Sequence, residues 1–180
     1  MPSLNINWPS WQLVFQSSND AVVAFSYVFG VALIILTGIK VKKLSDVNPD
    51  DTSLSRIAWI LVAGIFCLYF AETNKNVAET IFASDINAFD SAEYALLNSA
   101  SPVAPLAFVF SWFSVYGLYM MLRGYFLFRE IGNPRQQSNS PGSKAIWHVI
   151  GGSFLYYSPS VASLFEDNIG FNYMEFLGLS

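Results

Sequence analysis

Charge is what this sequence has least of. Asp, Glu, Lys and Arg make up 12% of its 180 residues, against about 25% in an ordinary soluble domain. With 53% apolar residues, sixteen Phe and a mean hydropathy of +0.41, too little polar surface remains to clothe a folded sphere of this size in water. That disfavours a soluble enzyme, and much of the surface must meet something other than water. Cysteine is nearly missing: Cys67 stands alone in the sequence, so no intrachain disulfide forms. With His148 as the single histidine, the four ligands of a structural zinc site cannot come from Cys and His. Inside an apolar run, Cys67 reads as a small buried hydrophobe. A basic excess is lacking too. The formal charge of -4 gives no whole-chain footprint for nucleic acid, and no sequence-specific nucleic-acid binding is expected. Catalytic motifs are absent: there is no Gly-rich phosphate loop, HExxH or GxSxG, and the serines of YYSPSVAS have neither a second His nor a placed acid beside them. No catalytic residue, metal ligand or cofactor is expected, and the chain reads as non-enzymatic. Asp50/Asp51 and Glu166/Asp167 read as solvated charges rather than cation sites.

Long uncharged runs are what the sequence has instead. Ala21 to Ile39 is 19 residues without a charge, bounded by Asp20 and Lys40, and a bilayer core takes about 20 residues of helix. Ile57 to Ala71 is 15 residues, with Arg56 able to snorkel at one end and Thr73 to Ala83 able to continue the helix at the other. Leu106 to Leu122 follows Pro102 and Pro105 and stops at Arg123. Ala145 to Phe165 lies between Lys144 and Glu166, with Pro159 expected to kink it or mark its outer end. These four runs predict an all-α, polytopic membrane protein of four transmembrane helices arranged as two tandem helical hairpins, with additional interfacial helices. The residues before the first span carry no Lys or Arg but two Trp and two Pro, so the first span is expected to be retained rather than cleaved as a signal peptide.

The scarce charge is sorted. Lys40, Lys42, Lys43 and Arg56 border the first interspan loop, and Arg123, Arg129, Arg135 and Lys144 border or occupy the second. Those eight cations share their side with four acids, a net +4, while Lys75 faces nine acids on the other, a net -8. By the positive-inside rule both loops are cytoplasmic and both termini lie on the opposite face, which for a bacterial inner membrane is the periplasm. Near anionic headgroups each such cation contributes about 1 kcal/mol, so these eight are the expected lipid-headgroup or lumen-facing residues, and membrane phospholipid is the expected bound partner. His148, one turn past Lys144, reads as an interfacial side chain, since no carboxylate in the spans could partner a proton relay.

The chain divides, as a single membrane domain over 1–180, into three parts. Residues 1–72 form the first hairpin, led by an interfacial segment with Trp8 and Trp11. Residues 73–105 form an outer amphipathic connector, in which Val77, Ile81, Phe82, Ile86, Phe89, Ala92 and Leu96 recur at helical spacing and Glu72, Lys75 and Glu79 can pair. Residues 106–180 form the second hairpin and a tail, Ile169 to Leu179, able to dock on membrane or a neighbouring subunit. The halves resemble copies. A gapless pairing of Ser55–Tyr69 with Ser143–Tyr157 matches Arg56 with Lys144, Trp59 with Trp147, Gly64 with Gly152 and Tyr69 with Tyr157, and FSY at 25–27 answers FSW at 110–112. Both copies would enter the membrane in the same direction. Gly30, Gly64, Gly117, Gly151 and Gly152 are the expected helix-packing positions, either within one chain or between chains.

The run Lys144-Ala-Ile-Trp-His-Val-Ile-Gly-Gly resembles the IcmC/DotE and TraQ type of small inner-membrane proteins of Dot/Icm and IncI-like conjugation (type IVB secretion) systems, over about Ser143 to Ser158. The plan of each half also resembles a conjugative-pilin hairpin with external termini and a short basic loop. What these likenesses imply is a non-enzymatic structural membrane subunit of such an apparatus. It would be a homo-oligomer or a partner of other membrane subunits, and in one form a double-hairpin pilin that polymerises with phospholipid into an extracellular filament. The pilins have one hairpin and a processed N-terminus, where this chain has two and is expected to keep Met1. A small transporter or channel subunit, or an accessory subunit of another membrane complex, are the alternatives.

Overall fold

The apolar runs fold as helices. The computed structural model describes residues 8–45, 54–82, 104–131, 133, 140–158, 161–162 and 170, and every regular element among them is α-helical: α1 (Trp8–Ser45), α2 (Leu54–Leu68), α3 (Phe70–Phe82), α4 (Ala104–Phe128) and α5 (Pro141–Tyr156). The all-α expectation holds. Lys42 and Lys43 occupy the last turn of α1, where a cation meets the negative end of the helix dipole. Pro141 opens α5 with its φ already helical, behind Ser140 held at φ 40 without a side-chain cap.

Glycines set the pairing. A Cβ on Gly30 would fall 2.7 Å from the Leu68 nitrogen, and one on Gly64 3.2 Å from Ile34 and Leu33, so α1 and α2 run antiparallel. A Cβ on Gly117 would sit 2.6 Å from the Gly152 carbonyl, and one on Gly124 2.9 Å from that of Ala145, so α4 and α5 do the same. Ring contacts orient the pairs relative to each other. Phe15 meets Phe108 at 5.5 Å and Phe29 meets Phe126 at 4.9 Å, which makes α1 and α4 parallel, and both interhelical loops therefore lie at one end. The shared core joins Leu33, Ile60, Ala63, Cys67 and Phe70 to Leu118, Met121, Leu122, Tyr125 and Val149.

One expectation is corrected. The second apolar run does not continue straight: the chain turns by 89° between Leu54–Leu68 and Phe70–Val77. No Pro or Gly stands at the corner. Side chains make the turn, because uncharged residues give way to ETNKN after Ala71 while Phe70 itself is fully buried. Among the described residues one helix, Leu13–Leu44, is long and apolar enough to cross a membrane, and the bent pair would count as a second only if taken as one span. At 15 and 16 residues, α2 and α5 are about 22 and 24 Å long, short of a hydrocarbon core of about 30 Å.

The paired segments in the sequence occupy paired environments. Gly64 and Gly152 are both buried in their seams. Tyr69 and Tyr157 both stand where a helix breaks, with one bonding pattern. Tyr69 N–H donates to Ile65 O at 3.0 Å and Thr73 N–H to Tyr69 O at 2.7 Å; Tyr157 N–H donates to Ser153 O and Val161 N–H to Tyr157 O, each at 2.9 Å. The helix thus breaks two residues ahead of Pro159, whose ring would strike the carbonyl four residues back.

Candidate lipid-facing surface and basic ends

Burial follows side-chain volume poorly in this molecule, and the reason is the outward face of each helix. In the apolar window of α1 only 22% of residues are buried. Phe25, Val28, Val31, Ile35 and Ile39 lie exposed along it. Trp112, Phe113, Tyr116 and Tyr119 do the same on α4, and Ile146, Trp147 and Phe154 on α5. A monomer in water does not carry apolar patches of this extent. Polar groups within the helices are turned inward or bonded back. Thr37 Oγ1 donates to Leu33 O at 2.8 Å, Ser26 Oγ to Val23 O at 2.6 Å and Ser153 Oγ to Val149 O at 2.9 Å, so these hydroxyls present no bare polarity to an apolar surrounding.

Of the eight expected cations, seven lie among the described residues and Arg135 lies outside them. Lys42 and Lys43 are exposed and Lys40 half-buried on the last turns of α1, Arg56 is half-buried at the start of α2, and Arg123, Arg129 and Lys144 are exposed on the second hairpin. They share one end but not one plane. Phe128, the last residue of α4, lies between Trp59 at 6.0 Å and Phe66 at 5.7 Å, opposite the middle of α2. Arg56 is then about 10 Å beyond the end of α4, and Arg123 about 7 Å short of it, at 1.5 Å per residue. Arg56 and Arg123 thus mark two tiers roughly 15 Å or more apart along the helices, with Arg129 between them, a stagger that summed charge could not reveal.

Between the tiers sits a small polar clasp. Glu130 Oε1 accepts from Arg129 Nε at 2.9 Å and Oε2 from Asn133 Nδ2 at 3.3 Å, while the Arg129 guanidinium rests 5.8 Å from the Phe126 ring centre. Partial burial alone would push the Glu130 carboxyl up. The two hydrogen bonds, with the positive charges of Arg129 and of Arg56 from the other hairpin, outweigh burial and hold it below the ordinary carboxylate value. On α3, Lys75 Nζ pairs with Glu79 at 3.7 Å, as the spacing predicts. His148 Nδ1 lies 2.7 Å from Lys144 O, which calls for the Nδ1–H tautomer because a carbonyl only accepts.

Gly30, Gly64, Gly117 and Gly152 all stand at close helix contacts, but Gly151 does not: a Cβ there meets nothing within 4 Å. It is one residue, about 100° of helix, away from the seam that Gly152 occupies. Sequence reasoning missed Gly124, although its spacing of seven from Gly117 keeps both on one helix face. It also missed the buried hydrogen bond from Tyr125 Oη to Asn74 Oδ1 at 2.8 Å; those residues are 51 apart, and no local pattern announces them. That bond ties α3 to the second hairpin. Val77 and Thr80 of α3 line an apolar cleft with Phe128, Ile146, Val149 and Ile150, so α3 leans on the loop-side half of that hairpin rather than on its far end. The interfacial residues before Trp8, the acids Asp50, Asp51, Glu166 and Asp167, the connector beyond Phe82 and the C-terminal tail after Gly170 lie outside the described residues. Among the described residues no group of His, Cys, Asp and Glu could hold a metal ion. Set beside known proteins, the chain finds no counterpart: no family model, curated protein or solved structure matches it.

Proposed function

We propose that this chain is a non-enzymatic, membrane-embedded structural subunit that assembles with copies of itself or with other membrane subunits. The observation that carries the reading is the outward apolar face of α1, 32 residues of span-like hydropathy with most of its side chains uncovered. Lipid or protein must cover it. In this reading the four runs cross the bilayer as two hairpins, both loops face the cytoplasm and both termini the periplasm. The short α2 and α5 are accommodated by snorkelling of Arg56 and Lys144 and by local thinning. Lys40, Lys42, Lys43, Arg129 and Lys144 meet anionic headgroups or line a lumen. The stagger between the tiers favours assembly over an isolated bundle, because a flat bilayer centred on α1 draws Arg123 toward hydrocarbon, where an unpaired cation costs about 2.5–3.5 kcal/mol. The likeness of Ser143 to Ser158 to small subunits of type IVB secretion and conjugation systems gives the apparatus in which to look, with a polymerising pilin-like form as its sharpest version.

The test has two stages. Full-length protein should stay with membranes through alkaline carbonate extraction, and particles purified in mild detergent should show helical or ring order. A monomer recovered from the soluble fraction overturns the membrane reading, and a strictly monomeric detergent particle overturns the assembly.

A further inference from the structure

The strap formed by α3 lies at a depth where hydrocarbon is expected. It leaves α2 at Tyr69 and runs at 89° to it, so it keeps roughly one level along the helix axes. That level is the middle of α1. A Cβ on Gly30 would fall 2.7 Å from the Leu68 nitrogen, and Gly30 is the central residue of the uncharged run Ala21–Ile39. The second hairpin seats the strap at the same height. Phe70 is edge-on to Tyr125 at 5.7 Å, Asn74 accepts the Tyr125 hydroxyl at 2.8 Å, and Phe126 meets Phe29 of α1 at 4.9 Å. A Cβ on Gly124 would lie 2.9 Å from the Ala145 carbonyl, which brings the start of α5 there too.

Charge collects at this level on one side of the molecule. Glu72, Lys75 and Asn76 are exposed on α3, and so are Arg123, two residues from Tyr125, and Lys144, next to Ala145. Lys75 pairs with Glu79 and Arg129 with Glu130, whereas Arg123 and Lys144 pair with no carboxylate among the described residues. On the uncovered side of α1 the same level carries the exposed Val28 and Val31. From there about 15 Å of helix lead to Lys40, the first charge toward the loop, which is half of a hydrocarbon core of about 30 Å. No flat surface suits both sides. A leaflet surface at Lys40 sinks the polar strap and two cations to the middle of the hydrocarbon, and one at α3 strips lipid from the loop-side half of α1.

We propose that the loop-side leaflet is indented beside α3: headgroups and water descend about 15 Å, from the level of Lys40 to that of Arg123 and Lys144, while the leaflet keeps its full depth along the open face of α1. The partner is the anionic phospholipid headgroup. A guanidinium and an ammonium exposed on two neighbouring helices match phosphate oxygens, and the polar face of the strap gives the indentation a wettable floor. Local thinning and water penetration are the means by which a bilayer accommodates a cation held at depth. The inference rests on the membrane reading and deepens it, assigning each basic group its own depth.

Single thiols at one level test it, with the fully buried Cys67 as background. Asn76→Cys on the strap and Val31→Cys on the open face of α1 are reconstituted in vesicles of mixed phosphatidylcholine and phosphatidylglycerol, and a charged, membrane-impermeant maleimide is supplied on both sides. Rates are referred to those in denaturing detergent. Asn76→Cys is expected to react at least an order of magnitude faster than Val31→Cys. Equally slow rates leave the strap in hydrocarbon, and equally fast rates put a flat surface at α3; either result overturns the indentation. Adding Arg123→Gln and Lys144→Gln to Asn76→Cys should slow its labelling several-fold, and an unchanged rate overturns the role given to the headgroups. Protein lost on alkaline carbonate extraction fails the membrane reading itself, whereas extraction-resistant protein with equal rates fails the indentation alone.

Discussion

The two hairpins carry sequence segments that pair without gaps, and they close in different ways. In the first, the glycine Cβ positions face mixed company: Gly64 looks at the side chains of Leu33 and Ile34 at 3.2 Å, and Gly30 at the Leu68 backbone and side chain at 2.7 and 2.8 Å. In the second, main-chain atoms make more of the contact. Gly117 faces only backbone, the Gly152 carbonyl and the Tyr156 nitrogen, while Gly152 faces the Met121 side chain at 2.6 Å together with the Gly117 carbonyl at 2.7 Å and the Met121 nitrogen at 2.8 Å, and Gly124 meets the Val149 side chain at 2.7 Å and the Ala145 carbonyl at 2.9 Å. The paired tryptophans show the same split: Trp59 stacks on Phe128, whereas Trp147 is 69% exposed. Glycine at a helix contact is therefore not one device but two. It can admit a neighbour's side chain, or it can let two main chains touch.

The comparison breaks most visibly if Gly117 or Gly152 is changed to Ala. Each new methyl meets main-chain atoms that cannot yield separately, so we expect losses of about 3 kcal/mol or more, at the upper end of overpacking costs. Detergent unfolding followed by circular dichroism measures this, and an unchanged midpoint would refute backbone closure. Tyr125→Phe comes next. It leaves the buried Asn74 amide without its one partner and should cost about 1–3 kcal/mol, read in the same assay, while Asn74→Leu should cost clearly less than Tyr125→Phe. Gly64→Ala tests the looser seam. Side chains can shift a few tenths of an ångström there, so a loss near 1 kcal/mol is expected, well below that of its counterpart Gly152. Acidification probes the Glu130 clasp. Because the folded carboxyl lies below its ordinary value, its stabilisation is fully present above the ordinary carboxylate range and lost as pH falls through the lowered value. With Arg129 partly exposed, the loss is at most about 1 kcal/mol, and Glu130→Gln should flatten that part of the stability profile. The smallest effect is a gain. Gly151→Ala adds a methyl to open space and should stabilise by up to about 1 kcal/mol through helix propensity, in contrast to its immediate neighbour.

Much of this fold is legible from apolar runs alone. Uncharged stretches with Arg or Lys at their ends dictate helices, and the short basic loops dictate antiparallel neighbours. The gapless pairing of Ser55–Tyr69 with Ser143–Tyr157 carries further than composition: it matches seam glycine with seam glycine and helix break with helix break. The corner at Tyr69 was illegible because neither Pro nor Gly marks it, and its cause, the burial of Phe70 against Tyr125, joins residues far apart in sequence. The stagger was hidden for a related reason. Charge counts assign each cation to a side of the membrane but give no depth, and depth is set by which aromatic ring of α4 meets which ring of α1 and α2. Of the expected basic surface, the placement at one end was readable, whereas the division into tiers and the pairing of Arg129 with Glu130 required contacts.

The seat of α3 has a consequence for the order of synthesis. The residues of the second hairpin that receive the strap, from Tyr125 to Ile150, all follow Phe82 in the order of translation. At roughly 5–20 residues per second, the apolar edge of Phe70 and Val77 waits several seconds before the second half of its seat exists. Until then only the first hairpin stands beside it, and the bond from Tyr125 to Asn74 has to wait for α4.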